Sequence, residues 1–219
     1  MNLAKRGEAG RAGGWLGRAE RLLEAEAQDC AEAGYLLLPL VFRHADSGDL
    51  EAAAAVAGEA VAVGERFGDR DLFALAAHER GHMLIRLGRR EQGVSLLDEA
   101  MLAAVDRELS PIATGIVYCG AILACDDAHD LRRAREWTAA LSEWCARQPD
   151  LVAFTGRCLV HRAQIMTIAG QWAAAEAEAR RAATRCLRGE NPAAAGEAFY
   201  VQAEIARLRA DFATAAAPG

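Results

Sequence analysis

Apolar and polar positions fall in long alternating blocks along this chain. Largely apolar stretches of about 16 to 19 residues run near 29–46, 70–87, 110–127, 151–169 and 192–209. Each is followed by a more charged stretch where the chain allows, near 49–66, 90–106, 131–147 and 172–187, and a further helical stretch covers 8–26. Blocks of this length are too long for strands and suit helices. Small residues seven apart, two helical turns, mark one face of the charged blocks. The pattern predicts an all-α fold, an α-solenoid of stacked antiparallel helical hairpins.

An internal repeat sets the phase of those hairpins. Gly7-Glu-Ala-Gly-Arg-Ala12, Gly48-Asp-Leu-Glu-Ala-Ala53 and Gly88-Arg-Arg-Glu-Gln-Gly93 align with one another. So do His129-Asp-Leu-Arg-Arg-Ala134, Gly170-Gln-Trp-Ala-Ala-Ala175 and Ala210-Asp-Phe-Ala-Thr-Ala215. Their first positions, 7, 48, 88, 129, 170 and 210, are 40 or 41 residues apart. Glycine there can take the left-handed conformation that ends the first helix of a hairpin. Five residues on comes Ala or Gly, and seven further a second small residue at Ala19, Ala60, Ala100 and Ala182, with Leu141 as the exception. Small side chains at that spacing let paired helices approach closely. Pro111, Pro149 and Pro192 fall where one hairpin passes to the next, whereas Pro39 lies inside a helix and is expected to kink it. No linker of Pro, Gly and Ser divides the chain, so residues 1–219 read as one continuous domain. Both ends fall in mid-repeat, which suggests a fragment, a truncated relative or a stand-alone descendant of something larger. Exposed half-repeats would favour a homodimer.

Composition narrows the function classes. Of 219 residues 51 are alanine, which favours helix, and only 6% are aromatic. A formal net charge of −6 without a basic cluster argues against a nucleic-acid surface. No apolar run approaches the ~18 residues of a membrane span, and the first residues do not read as a secretory signal. A cytoplasmic location is therefore expected. The six cysteines, at 30, 119, 125, 145, 158 and 186, include no C-x-x-C pair and are expected to be reduced thiols, mostly buried.

The sharpest chemical motif is His78-Glu79-Arg80-Gly81-His82, which satisfies H-E-x-x-H on a helix. In zincins two such histidines bind Zn²⁺ while the glutamate polarises the attacking water. Zinc at His78 and His82 would need a third ligand, with Glu99, Glu108 and His44 as candidates. Gly81 also occupies the small-residue position of the repeat, matching Ala163 and Ala203, which favours close packing instead. Cys158 and His161, three apart on one helix, could hold half a metal site but fit a structural role better. Asp126, Asp127 and Asp130 form an acidic corner that reads as a helix cap. If the first helices line a groove, counting back from each turn places Leu38, Phe42, His78, His82, Cys119, Gln164, Tyr200 and Glu204 there, with His44 close by. Apolar walls with a few orienting polar groups suit a small molecule or peptide.

The pattern resembles tetratricopeptide repeats, with a longer period than their common ~34 residues. Several stretches resemble more specifically the repeat region of actinobacterial LuxR-type transcriptional regulators. They are Gly64-Glu-Arg-Phe-Gly-Asp69, Leu87 through Met101, Ser110 through Cys119, Asp130 through Cys145, Gln148 through Val152 and Gly156 through Ala163. The resemblance implies a helical scaffold that senses a ligand or docks a protein within such a regulator. The chain departs from these regulators in having neither a G-x-x-x-x-G-K-[S/T] loop nor a DNA-reading helix pair after 209.

A scaffold binding a small molecule or peptide in its groove is thus the first expectation. An alternative is a hydrolase or lyase acting on a small metabolite with His78, Glu79 and His82, joined by Glu204, as catalytic groups. A second alternative is an oligomerisation module.

Overall fold

The computed structural model describes residues 8–26, 29–147, 152–188 and 192–216. Among them are eleven helices and no strand: α1 (Ala9–Glu26), α2 (Ala31–Asp46), α3 (Leu50–Phe67), α4 (Arg70–Arg86), α5 (Arg90–Val105) and α6 (Pro111–Asp127), then α7 (Leu131–Arg147), α8 (Val152–Ile168), α9 (Trp172–Arg188), α10 (Pro192–Leu208) and the short α11 (Phe212–Ala215). The protein is an all-α helical repeat of the solenoid type, in which helices pack against neighbours along the chain, as α3 does on α4 and α8 on α9. No described helix is long and apolar enough to cross a membrane. Pro111 and Pro192 open α6 and α10, where a missing N–H is harmless. Pro149 lies outside the described residues. Helix α2 continues through Pro39 to Asp46.

The chain divides into two compact units, Met1–Gly120 and Ala121–Gly219. In the first, Val41 of α2, Ala53, Ala54 and Ala57 of α3, and Met83 and Leu84 of α4 form a buried cluster. Tyr35 ties α2 to the start of α4: its hydroxyl donates to Asp69 Oδ1 at 3.0 Å, and the same carboxylate oxygen caps Leu72 N at 2.9 Å. Burial first, and then the Asp69 carboxylate, push the Tyr35 phenol well above its ordinary pKa. In the second unit the core is built from Leu159, Val160 and Ala163 of α8, four alanines of α9, and Ala198, Val201 and Ile205 of α10.

The repeat positions carry the turns. Gly48, Gly88 and Gly170 have φ of 83°, 82° and 75°, and His129 and Ala210 have φ of 53° and 61°. At each, the next residue's N–H reaches back five residues, as in Asp49 N to His44 O at 3.0 Å and Asp130 N to Cys125 O at 2.9 Å. The turn residue itself donates three residues back, which completes the Schellman motif. Asp49, Asp130 and Asp211 then cap the following helices through their carboxylates. Backbone and side-chain hydrogen bonds from Arg133 hold the Asp130 carboxyl below its ordinary range. Of the acidic corner, this residue is the cap.

His129 and Ala210 carry a Cβ in a conformation that glycine adopts without penalty. His129→Gly and Ala210→Gly are each expected to raise the unfolding free energy by about 0.5–1 kcal/mol. Urea denaturation of the two variants checks this, and a loss of stability in both would show that the turns are not strained.

The small-residue stripe lies where the helices meet. Ala53, Ala60, Ala100, Ala134, Ala175 and Ala182 are wholly buried, and Leu141, the exception to the small-residue rule, is buried too. Helices α4 and α5 approach closely, since a Cβ added to Gly81 would lie 2.7 Å from Gly93 O, and one added to Gly93 would lie 2.5 Å from Gly81 O. Two helix backbones touch at these glycines.

The reduced-thiol expectation is corrected at Cys119, which is disulfide-bonded. Cysteines distant in sequence meet when helices stack, and spacing along the chain does not reveal it. Cys30, Cys125 and Cys186 are thiols, the last two buried. The side chains of Cys145 and Cys158 lie outside the described residues.

Candidate functional site

The H-E-x-x-H motif sits on α4, whose buried face carries Leu72, Ala76, Ala77 and Gly81. His78 is turned to that interior and is 2% exposed. Its Nδ1 donates to Ala74 O, one turn back, at 3.2 Å, and its Nε2 lies 3.2 Å from Glu79 Oε1. The ring fills the space beside Gly120 of α6, where an added Cβ would come within 2.3 Å of Cδ2 and 2.5 Å of Nε2. Both ring nitrogens are thus engaged by oxygen, and no side chain could stand at Gly120 without displacing the ring.

These residues do not fit a zinc centre. A metal-bound histidine presents one nitrogen to the ion and donates the other to an acceptor, but here Glu79 faces the nitrogen that would bind. Among the described residues no three His, Cys, Asp or Glu side chains converge on a point where an ion could sit. Of the third-ligand candidates, Glu108 pairs with Arg70 at 2.5 Å, Glu99 is exposed on α5, and His44 is half-buried on α2. His82, half-buried on α4, has polar or electrostatic partners of its own.

The expected groove residues take varied positions. Leu38 is core, and Phe42 is half-buried on α2. Cys119 is committed to its disulfide. In the second unit Gln164 is exposed on α8, and Tyr200 is 68% exposed on α10. Glu204 is held by Arg207 through two hydrogen bonds of 2.6 and 2.8 Å, which lower its pKa below the ordinary carboxylate value.

A different cluster lines a cleft of about 450 Å³ in the second unit, and none of the expected residues belongs to it. Helix α9 explains its composition. Ala175, Ala179, Ala182, Ala183 and Cys186 form the buried face. Glu178, Arg181 and Arg185, spaced three and four apart, make a second stripe along its edge. Glu178 is completely buried. Its Oε2 accepts a hydrogen bond from Arg181, one turn on. Its Oε1 lies 3.1 Å from Arg162 Nη1 of α8 but out of line for a hydrogen bond, and no other described group donates to it. Arg180 and Arg185 complete the basic wall, with Ser142 of α7, Thr184 and Leu159. Arg180 is itself steadied by Glu176 at 2.6 Å, and hydrogen bonds from Arg209 and Arg180 hold the Glu176 carboxyl below its ordinary range.

Four guanidinium groups and one carboxylate line this cleft, with Glu176 paired to Arg180 beside it, so the lining is positive in a chain of net charge −6. Planar guanidinium forks bind carboxylate and phosphate oxygens in pairs. The sequence signal for the cleft was a glutamate beside the small-residue stripe with arginines three and seven residues on. Arg162, one hairpin arm earlier, has no local signal.

No protein-family model matches the chain, and no curated protein matches its sequence. Among solved structures it is similar to one described as the crystal structure of BtubC (BKLC) from P. vanneervenii. The TM-score is 0.71 at 16% sequence identity, over 97% of this chain and 85% of that one. At that identity the likeness is one of fold.

Proposed function

We propose that the protein is a helical-repeat binding module that recognises an anionic small molecule or peptide through the arginine-lined cleft of its second unit. The observation that carries this reading is the convergence of Arg162, Arg180, Arg181 and Arg185 on one cleft around a single buried carboxylate. Its volume falls within the range of small-ligand sites, roughly 300–1,000 Å³. The fold supports the same reading, since stacked hairpins offer rigid side-chain arrays without requiring any catalytic group. The resemblance to LuxR-type regulators suggests a setting in which ligand occupancy is sensed or relayed to a partner. Nothing in the geometry of His78, Glu79 and His82 favours the enzymatic alternative, because the histidine is engaged by its own helix and by Glu79.

Calorimetric titration with inorganic phosphate, citrate and a short polyglutamate peptide tests the proposal. At least one should bind with an affinity that falls as salt rises. Arg181→Gln and Arg185→Gln, both on the cleft wall, should weaken it by about tenfold or more while far-UV circular dichroism stays unchanged. Failure of all three probes to bind at millimolar concentration would overturn the reading.

A further inference from the structure

The cleft carries a second chemical demand besides positive charge. Glu178 Oε1 is buried and ion-paired with Arg162 Nη1 at 3.1 Å, yet no described group donates a hydrogen bond to it. A buried acceptor of this kind costs free energy unless something donates to it. Glu178 is among the residues that line the same cleft as the four arginines. A ligand that fills the site therefore presents oxyanion oxygens to the guanidinium forks and an O–H to the glutamate.

We infer, resting on the anion-binding reading above, that the ligand is a small polyol phosphate: a phosphate monoester with a hydroxyl group a few atoms away. Two features favour phosphate over carboxylate as the anionic end. A planar carboxylate offers two oxygens in one plane, which one or two forks satisfy. A tetrahedral phosphate offers three terminal oxygens in different directions, matching arginines that come from both α8 and α9. Its double charge also suits four guanidinium groups that share the Glu178 and Glu176 carboxylates. Nucleotides fit less well, because no aromatic ring lines the cleft to stack on a base. The hydroxyls of Ser142 and Thr184 donate to Thr138 O and Arg180 O, so their oxygens remain in place as acceptors for further ligand hydroxyls.

The test compares glycerol 3-phosphate with methyl phosphate at pH 8, where methyl phosphate is a dianion with no donor of its own. Calorimetry on the full chain is expected to show glycerol 3-phosphate binding about tenfold or more tightly than methyl phosphate, the worth of one charge-assisted hydrogen bond. Glu178→Gln keeps the shape of the side chain and should shrink that difference to about twofold or less. Should the variant not fold, the comparison of the two ligands on the unaltered protein still decides. Equal binding of the two phosphates overturns this inference and leaves the anion-binding reading standing. Preference for citrate or polyglutamate over both does the same. Absence of binding by every anion removes both readings together.

Discussion

Replacing Arg162 and Arg181 together by alanine is expected to destabilise the second unit by about 3–5 kcal/mol, the cost of leaving a buried charge without partners. Glu178 is fully buried on α9, and these two guanidinium groups are its ion-pair partners among the described residues. The single changes differ in weight. Arg181 has a side chain 66% exposed, so solvent already screens its attraction and its loss should cost about 1 kcal/mol or less. Arg162 is 26% exposed and lies against the buried oxygen, so its removal should cost more, about 2 kcal/mol. Exchanging the pair as a whole tells another story. Arg162→Met with Glu178→Leu substitutes apolar volume for charge and should leave stability within about 1 kcal/mol of the parent, while abolishing anion binding. Urea denaturation of the single and double variants completes the cycle. A double arginine variant that loses less than about 1 kcal/mol would mean that water, not these arginines, satisfies the carboxylate.

Gly81→Ala is expected to lower the unfolding free energy by about 2 kcal/mol, although alanine is by itself the better helix former by about 1 kcal/mol. The added methyl would meet Gly93 O at 2.7 Å and Leu97 Cγ at 3.2 Å. A carbonyl oxygen in the neighbouring helix cannot rotate aside, so α4 and α5 must separate. Gly93→Ala should be as costly, since its methyl would approach Gly81 O at 2.5 Å and Ile85 N at 3.0 Å. Gly58 supplies the contrast. Its nearest neighbour would be the guanidinium of Arg80, at 3.2 Å, the far end of a long side chain rather than backbone. Gly58→Ala should therefore be neutral or mildly stabilising. Thermal melts of the three variants separate packing from propensity, and a Gly81→Ala protein that melts like Gly58→Ala would refute the backbone contact.

The two glycines also show why the motif around them misleads. His78-Glu79-Arg80-Gly81-His82 places two imidazoles on one helix face, and that much follows from helical spacing. Whether the face looks into solvent, a cleft or another helix depends on what lies across from it. Here Gly120 of α6 lies across from His78 and receives its ring. The same gap hid the arginine cleft. Glu178 and Arg181 are readable as an i, i+3 pair on α9, but Arg162 joins them only because α8 packs against α9.

By itself the sequence determined the helices, their order and their turns. Those features depend on local chemistry: a left-handed residue every 40 or 41 positions, an aspartate cap after several of them, and small residues two turns apart. Only the tertiary structure decided that His78 is a packed, internally bonded residue, that Cys119 is in a disulfide, and that four arginines and a buried glutamate line one cleft. Each of these depends on which side chains of separate helices meet, and on the burial that meeting imposes. Helical periodicity places a residue on a face. The partner across that face decides its chemistry.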